Sequence, residues 1–129
     1  RMIGADPDFY LSKKLKYLAD ANAITDEAMS EYLRCFRDPA TIHASCEDYR
    51  AAAGIDLDHD RQDRDLPLDI PILALWGEKG IIGKLYRPLE VWQDYTTGPV
   101  SGSVVPSGHY IPEEVPERLL AELSAFLES

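Results

Sequence analysis

The sequence has 129 residues, 45% of them hydrophobic, with 13 Lys and Arg against 23 Asp and Glu for a formal net charge of −10 at pH 7. That length suffices for one domain with a buried core and falls short of two full-sized domains. So acidic a surface repels phosphate, which argues against nucleic acid and anionic membranes as partners. The longest apolar run, residues 70–76, contains a proline and is far below the roughly 20 residues of a bilayer span.

Two cysteines, Cys35 and Cys46, make neither a disulfide framework nor a zinc site, and reduced thiols in a cytosolic protein are their simplest reading. The opening residues Arg1-Met2-Ile3-Gly4 show no signal-type apolar region or basic transit tract. A start at Met2 and a piece of a longer protein both fit them.

Residues 1–66 read as a helical region. Asp6-Pro7 supplies a cap and a first-turn proline, and Phe9, Leu11, Leu15 and Leu18 then place apolar groups mostly on one side of a helix. Thr25 caps a second helix with Asp26 and Glu27 in its first turn. Its Met29, Tyr32, Leu33 and Phe36 fall at i, i+3, i+4 and i+7. Asp38-Pro39 starts a third, with Ile42, Cys46, Tyr49 and Ala53 on one stripe and Gly54 as its stop. The segment from Asp56 to Asp65 holds five acids, two arginines and one histidine and reads as a solvated helix or linker. Asp56, Asp58, His59 and Asp60 lack the spacing and glycine of a calcium loop, so no metal site is expected there.

In residues 67–129 the period changes. Pro71 to Gly77 is a short apolar run ended by glycine, which fits a strand covered on both faces of a parallel sheet. A helix around Pro88–Tyr95 turns Leu89 and Trp92 inward. A second strand, Ser103-Val104-Val105, enters the turn Pro106-Ser107-Gly108-His109-Tyr110. A last helix from Pro116 to Leu127 carries Leu119, Leu120, Leu123, Phe126 and Leu127 on its buried side. Strand, helix, strand, helix is a parallel α/β unit with a right-handed crossover. Two parallel strands need neighbours on both edges, so this half reads as the trailing part of a larger, here incomplete, parallel sheet. A complete small α+β domain, its sheet covered by the three helices, is the alternative.

The run Pro71-x-Leu73-x-x-x-Gly77, the turn Ser107-Gly108-His109 and the closing amphipathic helix together resemble the C-terminal end of an α/β hydrolase. More specifically, five stretches resemble the haloacetate (fluoroacetate) dehalogenase family across essentially the whole chain. They are Asp6-Pro7-Asp8-Phe9-Tyr10, Arg34-Cys35-Phe36-Arg37-Asp38-Pro39, Cys46-Glu47-Asp48-Tyr49-Arg50-Ala51, Leu75-Trp76-Gly77 and Gly108-His109-Tyr110. The resemblance implies an α/β fold: a helical cap over residues 1–66, then the last two strands and helices of the hydrolase core. It places the nucleophilic aspartate, the oxyanion donors and the carboxylate-binding arginines in an N-terminal segment. In keeping with that, no G-x-S-x-G or G-x-D-x-G pattern occurs here. These 129 residues alone are then expected to be inactive.

The resemblance implies hydrolytic dehalogenation of a short haloacid through an aspartyl ester, with no metal and no organic cofactor, in a homodimer. In that chemistry His109 is the general base that activates water against the ester. Tyr49 is the cap hydroxyl that binds the departing halide. A triad acid after the penultimate strand would need G-x-x-D, whereas the loop reads Gly77-Glu78-Lys79-Gly80. The family takes this acid from further upstream, and Glu78 is left outside the site. Trp76 and Trp92 read as core or pocket wall, His43 and His59 as surface residues. Cys46, beside Glu47 and Asp48, is a poor thiolate. The competing readings are an epoxide hydrolase or esterase of the same fold and a non-catalytic acidic interaction module.

Overall fold

A computed structural model of the chain describes residues 2–18 and 23–128, the side chain of Leu18 excepted. The chain divides into two compact units, Arg1–Tyr17 with Ile24–Arg64 and Leu18–Ala23 with Asp65–Ser129.

The first unit is helical: α1 (Met2–Ala5), α2 (Pro7–Leu18), α3 (Asp26–Phe36), α4 (Pro39–Ala52) and α5 (Ile55–Asp63). The longer helices begin where short polar side chains can satisfy first-turn N–H groups. Asp6 accepts from the Phe9 N–H at 3.0 Å, Thr25 from Ala28 at 3.1 Å and Asp38 from Ala40 at 2.8 Å. Proline follows Asp6 and Asp38 at the first helical position, where its missing N–H costs nothing.

Leu11 and Leu15, one turn apart on α2, are buried, and Met29, Leu33, Phe36, Ile42 and Cys46 are half-buried. Tyr10 stacks on Phe36 with ring centroids 6.1 Å apart. Beside that stack the Arg37 guanidinium grips the Asp8 carboxylate through two hydrogen bonds, 2.9 and 2.6 Å, tying the end of α3 to the start of α2.

Several expected core positions are exposed instead. Phe9 precedes Leu11 by two residues, about 200° around a helix, and so lies on the opposite side. Ala53 falls beyond the end of α4, and Tyr32 and Tyr49 are exposed on their helices. Leu18, the fourth apolar position of α2, lies outside the described side chains. The charge-dense segment forms α5, wholly exposed, and Gly54 serves as its N-cap as well as following α4.

The second unit runs β1 (Ile72–Gly77), α6 (Ile82–Leu85), α7 (Pro88–Gln93), β2 (Val100–Val105), α8 (Ile111–Glu114) and α9 (Pro116–Leu127). The strands pair in parallel from Ile72 opposite Val100 to Gly77 opposite Val105. Strand β2 thus begins three residues before its expected start at Ser103, because Ser101-Gly102-Ser103 has little strand propensity and is held by its partner. Gly102 has φ +144°, and a Cβ there would stand 1.8 Å from the Ala74 carbonyl oxygen. At the entry to both strands, buried Thr96 puts its Oγ1 2.8 Å from the Ile70 carbonyl and 3.0 Å from that of Leu68, and accepts from the Gly98 N–H at 2.9 Å.

The helices cover less of this sheet than expected. Leu119 and Phe126 of α9 are half-buried, whereas Leu120, Leu123 and Leu127 are exposed. A helix about 10 Å across has an apolar face wider than two strands spaced about 4.8 Å apart can cover. Helix α7 stops at Gln93, two residues early, with the Gln93 amide bonded to the Thr96 carbonyl at 3.1 Å. Leu89 is half-buried and Trp92, expected inward, is exposed. No described helix is long and apolar enough to cross a membrane.

Two stability predictions follow from these contacts. A Cβ on Gly77 would stand 1.8 Å from the Gly108 carbonyl oxygen, whereas one on Gly4 would meet nothing within 4 Å. Gly77→Ala should therefore cost about 3 kcal/mol by overpacking against backbone, and Gly4→Ala about 0.5 kcal/mol or less. Urea midpoints measure both, and equal midpoints contradict the packing.

The second concerns acid. Hydrogen bonding to Arg37 lowers the Asp8 pKa below 3.8, and bonding to Arg34 lowers that of Glu31 from 4.5 to about 2. Carboxylates depressed in the folded state stabilise it above their ordinary values and lose that contribution as pH falls through the folded ones. For Glu31 the loss should run between 4.5 and about 2. A double Arg34→Met, Arg37→Met protein should show a flatter fall of urea midpoint with pH in that window, and an unchanged slope contradicts the pairing.

Candidate functional site

The two strands end together, and the loops beyond them continue the pairing. The Glu78 N–H donates to the Val105 carbonyl at 2.9 Å, and the Lys79 N–H to the Ser107 carbonyl at 3.0 Å. The chain turns at once, with the Ser107 N–H on the Val105 carbonyl at 2.8 Å. Val105 and Ser107 are 1% and 0% exposed, so the base of the turn is sealed, and the Ser107 Oγ has no hydrogen-bond partner among the described residues. Only Gly77 lets the Gly108 carbonyl come so close to the end of β1.

His109 stands on this turn, immediately past the C-terminal edge of the sheet. It is exposed, with its imidazole edge-on to the Tyr110 ring at 4.9 Å between centroids. Its flanking backbone is held from one place: Glu114, closing α8, accepts from the Gly108 N–H at 2.5 Å and from the Tyr110 N–H at 2.9 Å. Glu78 is exposed and contributes its backbone to the loop pairing.

Tyr49 belongs to the first unit. It is 66% exposed and lines a groove of about 820 Å³ together with Tyr10, Lys14, Phe36, Cys46 and Arg50. The Lys14 ammonium donates to the Tyr49 hydroxyl at 3.0 Å, with Nζ 5.0 Å from the ring centroid. A phenol that accepts a hydrogen bond through a lone pair keeps its own proton for another acceptor. A hydroxyl donor beside a cation is suited to a small anion, although the Asp48 carboxylate also lines this groove.

The remaining candidates have ordinary places. Trp76 is half-buried with its indole against Gly83 of α6, where an added Cβ would stand 2.7 Å from Nε1. His43 and His59 are exposed, and Asp58 pairs with Arg61 at 2.7 Å. Cys35 and Cys46 are free thiols. Among the described residues no group of three or more His, Cys, Asp or Glu could hold a metal ion.

Two residues escaped the sequence reading, Lys14 and Glu114. Lys14 lies 35 positions from Tyr49 with no local pattern to join them. Glu114 could have been found through its spacing, since a carboxylate a few residues past a turn is placed to accept that turn's N–H groups.

No protein-family model matches the chain. It is similar to a fluoroacetate dehalogenase from Burkholderia sp, 34% identical over 129 residues that cover 98% of this chain and 42% of the relative. A soluble epoxide hydrolase from Corynebacterium sp. (strain C12) is 30% identical over 122 residues, covering 92% of this chain and 41% of the relative. Among solved structures, a protein assigned to the α/β hydrolases from Nostoc sp PCC 7120 matches with a TM-score of 0.92 and 49% identity, over 98% of this chain and 43% of that one. The fold is that of the C-terminal part of an α/β hydrolase, and the chain spans about two fifths of the length of the relatives it matches.

Proposed function

We propose that the chain supplies the cap and the C-terminal core segment of a hydrolase that cleaves the carbon–halogen bond of a short haloacid, with His109 as general base. The observation that carries this reading is the turn after β2. It presents an imidazole past the sheet's C-terminal edge, where open α/β sheets assemble their sites. The similarity to the Burkholderia dehalogenase supports the substrate class.

In the proposed reaction an aspartate of the preceding segment attacks the halogen-bearing carbon. The carbon–halogen bond breaks, halide leaves with the electron pair, and an ester remains. A water molecule then gives a proton to neutral His109 as its oxygen bonds to the ester carbonyl carbon. Collapse of that intermediate releases the hydroxy acid, whose oxygen takes back the proton from His109. The second proton of the water stays on the aspartic acid and is then lost to solvent, which regenerates the carboxylate and leaves hydroxy acid, halide and one proton as products. Tyr49 acts in the first step, donating to the departing halide, with Lys14 beside it to balance the developing charge. No step needs a metal or organic cofactor, and the resemblance implies a homodimer.

Epoxide hydrolysis is the second reading, favoured by the similarity to the Corynebacterium enzyme. It also passes through a carboxylate ester and needs the same base. Turnover of haloacetates and of simple epoxides by the full-length protein separates the two.

Substitution tests the division of labour. Full-length protein carrying His109→Asn should release about one halide per active site and then stall, its mass increased by the ester, because only hydrolysis needs the base. Sustained turnover by this variant overturns the assignment. Tyr49→Phe should slow the halide burst about tenfold to a hundredfold with fluoroacetate, and less with chloroacetate, since fluoride is the leaving group most dependent on hydrogen bonding. Equal burst rates for variant and wild type remove Tyr49 from the site.

A further inference from the structure

We propose that Glu114 is the positioning residue of His109, a clasp that fixes where the base stands through the backbone on either side of it. The inference rests on reading His109 as the base. Both Glu114 oxygens are used: Oε2 accepts from the Gly108 N–H at 2.5 Å and Oε1 from the Tyr110 N–H at 2.9 Å. Among the described residues, the hydrogen bonds that Glu114 accepts come from backbone N–H groups on either side of His109 and none comes from the imidazole, so its effect on His109 is geometric.

The sequence is built for this contact. A Cβ on residue 108 would stand 3.0 Å from each carboxylate oxygen, so glycine leaves room for the carboxylate to close on the loop. The other end of the clasp is anchored where the Glu114 N–H donates to the Tyr110 carbonyl at 2.9 Å. Loop and carboxylate are both half-buried, where charge-assisted hydrogen bonds count for more than in water. Without Glu114 the N–H groups of Gly108 and Tyr110 lose their acceptor, and the turn carrying the imidazole is free to shift. A base displaced by about 1 Å loses about a hundredfold in rate.

Glutamine at 114 keeps the shape and offers one acceptor where two are needed, and alanine offers none. In single-turnover experiments on the full-length protein, Glu114→Gln and Glu114→Ala should leave the rate of the halide burst and its dependence on substrate concentration unchanged. Ester hydrolysis should slow about tenfold in the first and about a hundredfold in the second, so that ester accumulates in the steady state. A merely structural role would lower the active fraction and slow neither step selectively.

His109→Asn runs alongside. If it fails to trap the ester, the base assignment falls, and the clasp with it. If it traps the ester while both Glu114 variants hydrolyse at the wild-type rate, the positioning role alone is overturned. Should the variants fail to fold, amide hydrogen exchange in the wild-type protein decides. Protection of Gly108 and Tyr110 by about tenfold or more over unstructured amides is expected, and free exchange at both overturns the clasp.

Discussion

The parallel pairing of β1 with β2, closed at its tip by a contact that only glycine permits, is the constraint on which the second unit depends. Six residue pairs in register carry the two strands to the same end point. Beyond them Gly77 admits the Gly108 carbonyl, and Lys79 bonds the carbonyl of Ser107. The turn after β2 therefore has little choice of path. Its base is sealed by Val105 and Ser107, and its far side is caught by Glu114. His109 is an exposed residue of that turn, as is Pro106. On the proposed reading, in which the imidazole accepts a proton from water, both properties serve it, a fixed backbone and an open ring.

The helical unit is held by a different kind of interaction. Each long helix is started by a short side chain, and the stretch Arg34-Cys35-Phe36-Arg37-Asp38-Pro39 turns out to be largely architectural. Phe36 stacks on Tyr10, Arg37 clamps Asp8 and Asp38 caps α4. The first two contacts join α2 to the end of α3 and the third starts α4, and the groove bearing Tyr49 is lined from these helices and from Ile3 of α1. Residues that carry a family resemblance thus divide between those that build the groove and Tyr49, which faces it.

What the sequence made legible was what short-range physics writes locally. Capping residues and prolines located the starts of α2, α3 and α4, and the apolar run ending in Gly77 located β1. The short helices α1, α6 and α8 passed unnoticed; α6 and α8 have no side-chain cap hydrogen bond to announce them. The first half of β2 was hidden because its small residues are strand-forming only against Ala74 and its neighbours. Leu120, Leu123 and Leu127 were misplaced because periodicity reports which side of a helix is apolar, not how much surface exists to cover it. In the candidate site, Gly108-His109 was readable as a turn with a titratable group. The partners of the two chosen residues were not, since Lys14 meets Tyr49 across two helices and Glu114 grips backbone rather than a side chain.

Charge gives the last step. On the proposed reading the substrate is an anion, which a segment of net charge −10 repels on average, so a cation near the reacting groups is of use. Lys14, Asp48 and Arg50 line the groove at Tyr49; Arg50 is paired with Glu47, and the Lys14 ammonium is the cation on the phenol oxygen. At His109 a carboxylate, that of Glu114, accepts from the backbone N–H groups on either side. On the proposed reading the two arrangements suit two different steps. Halide departure develops negative charge, which a cation-backed hydroxyl meets, whereas water activation needs a neutral base held still. A binding module would have use for the first arrangement alone. On the same reading an exposed imidazole whose flanking backbone is held by Glu114 serves proton transfer, so the turn after β2, more than the acidic surface, is what the proposal rests on.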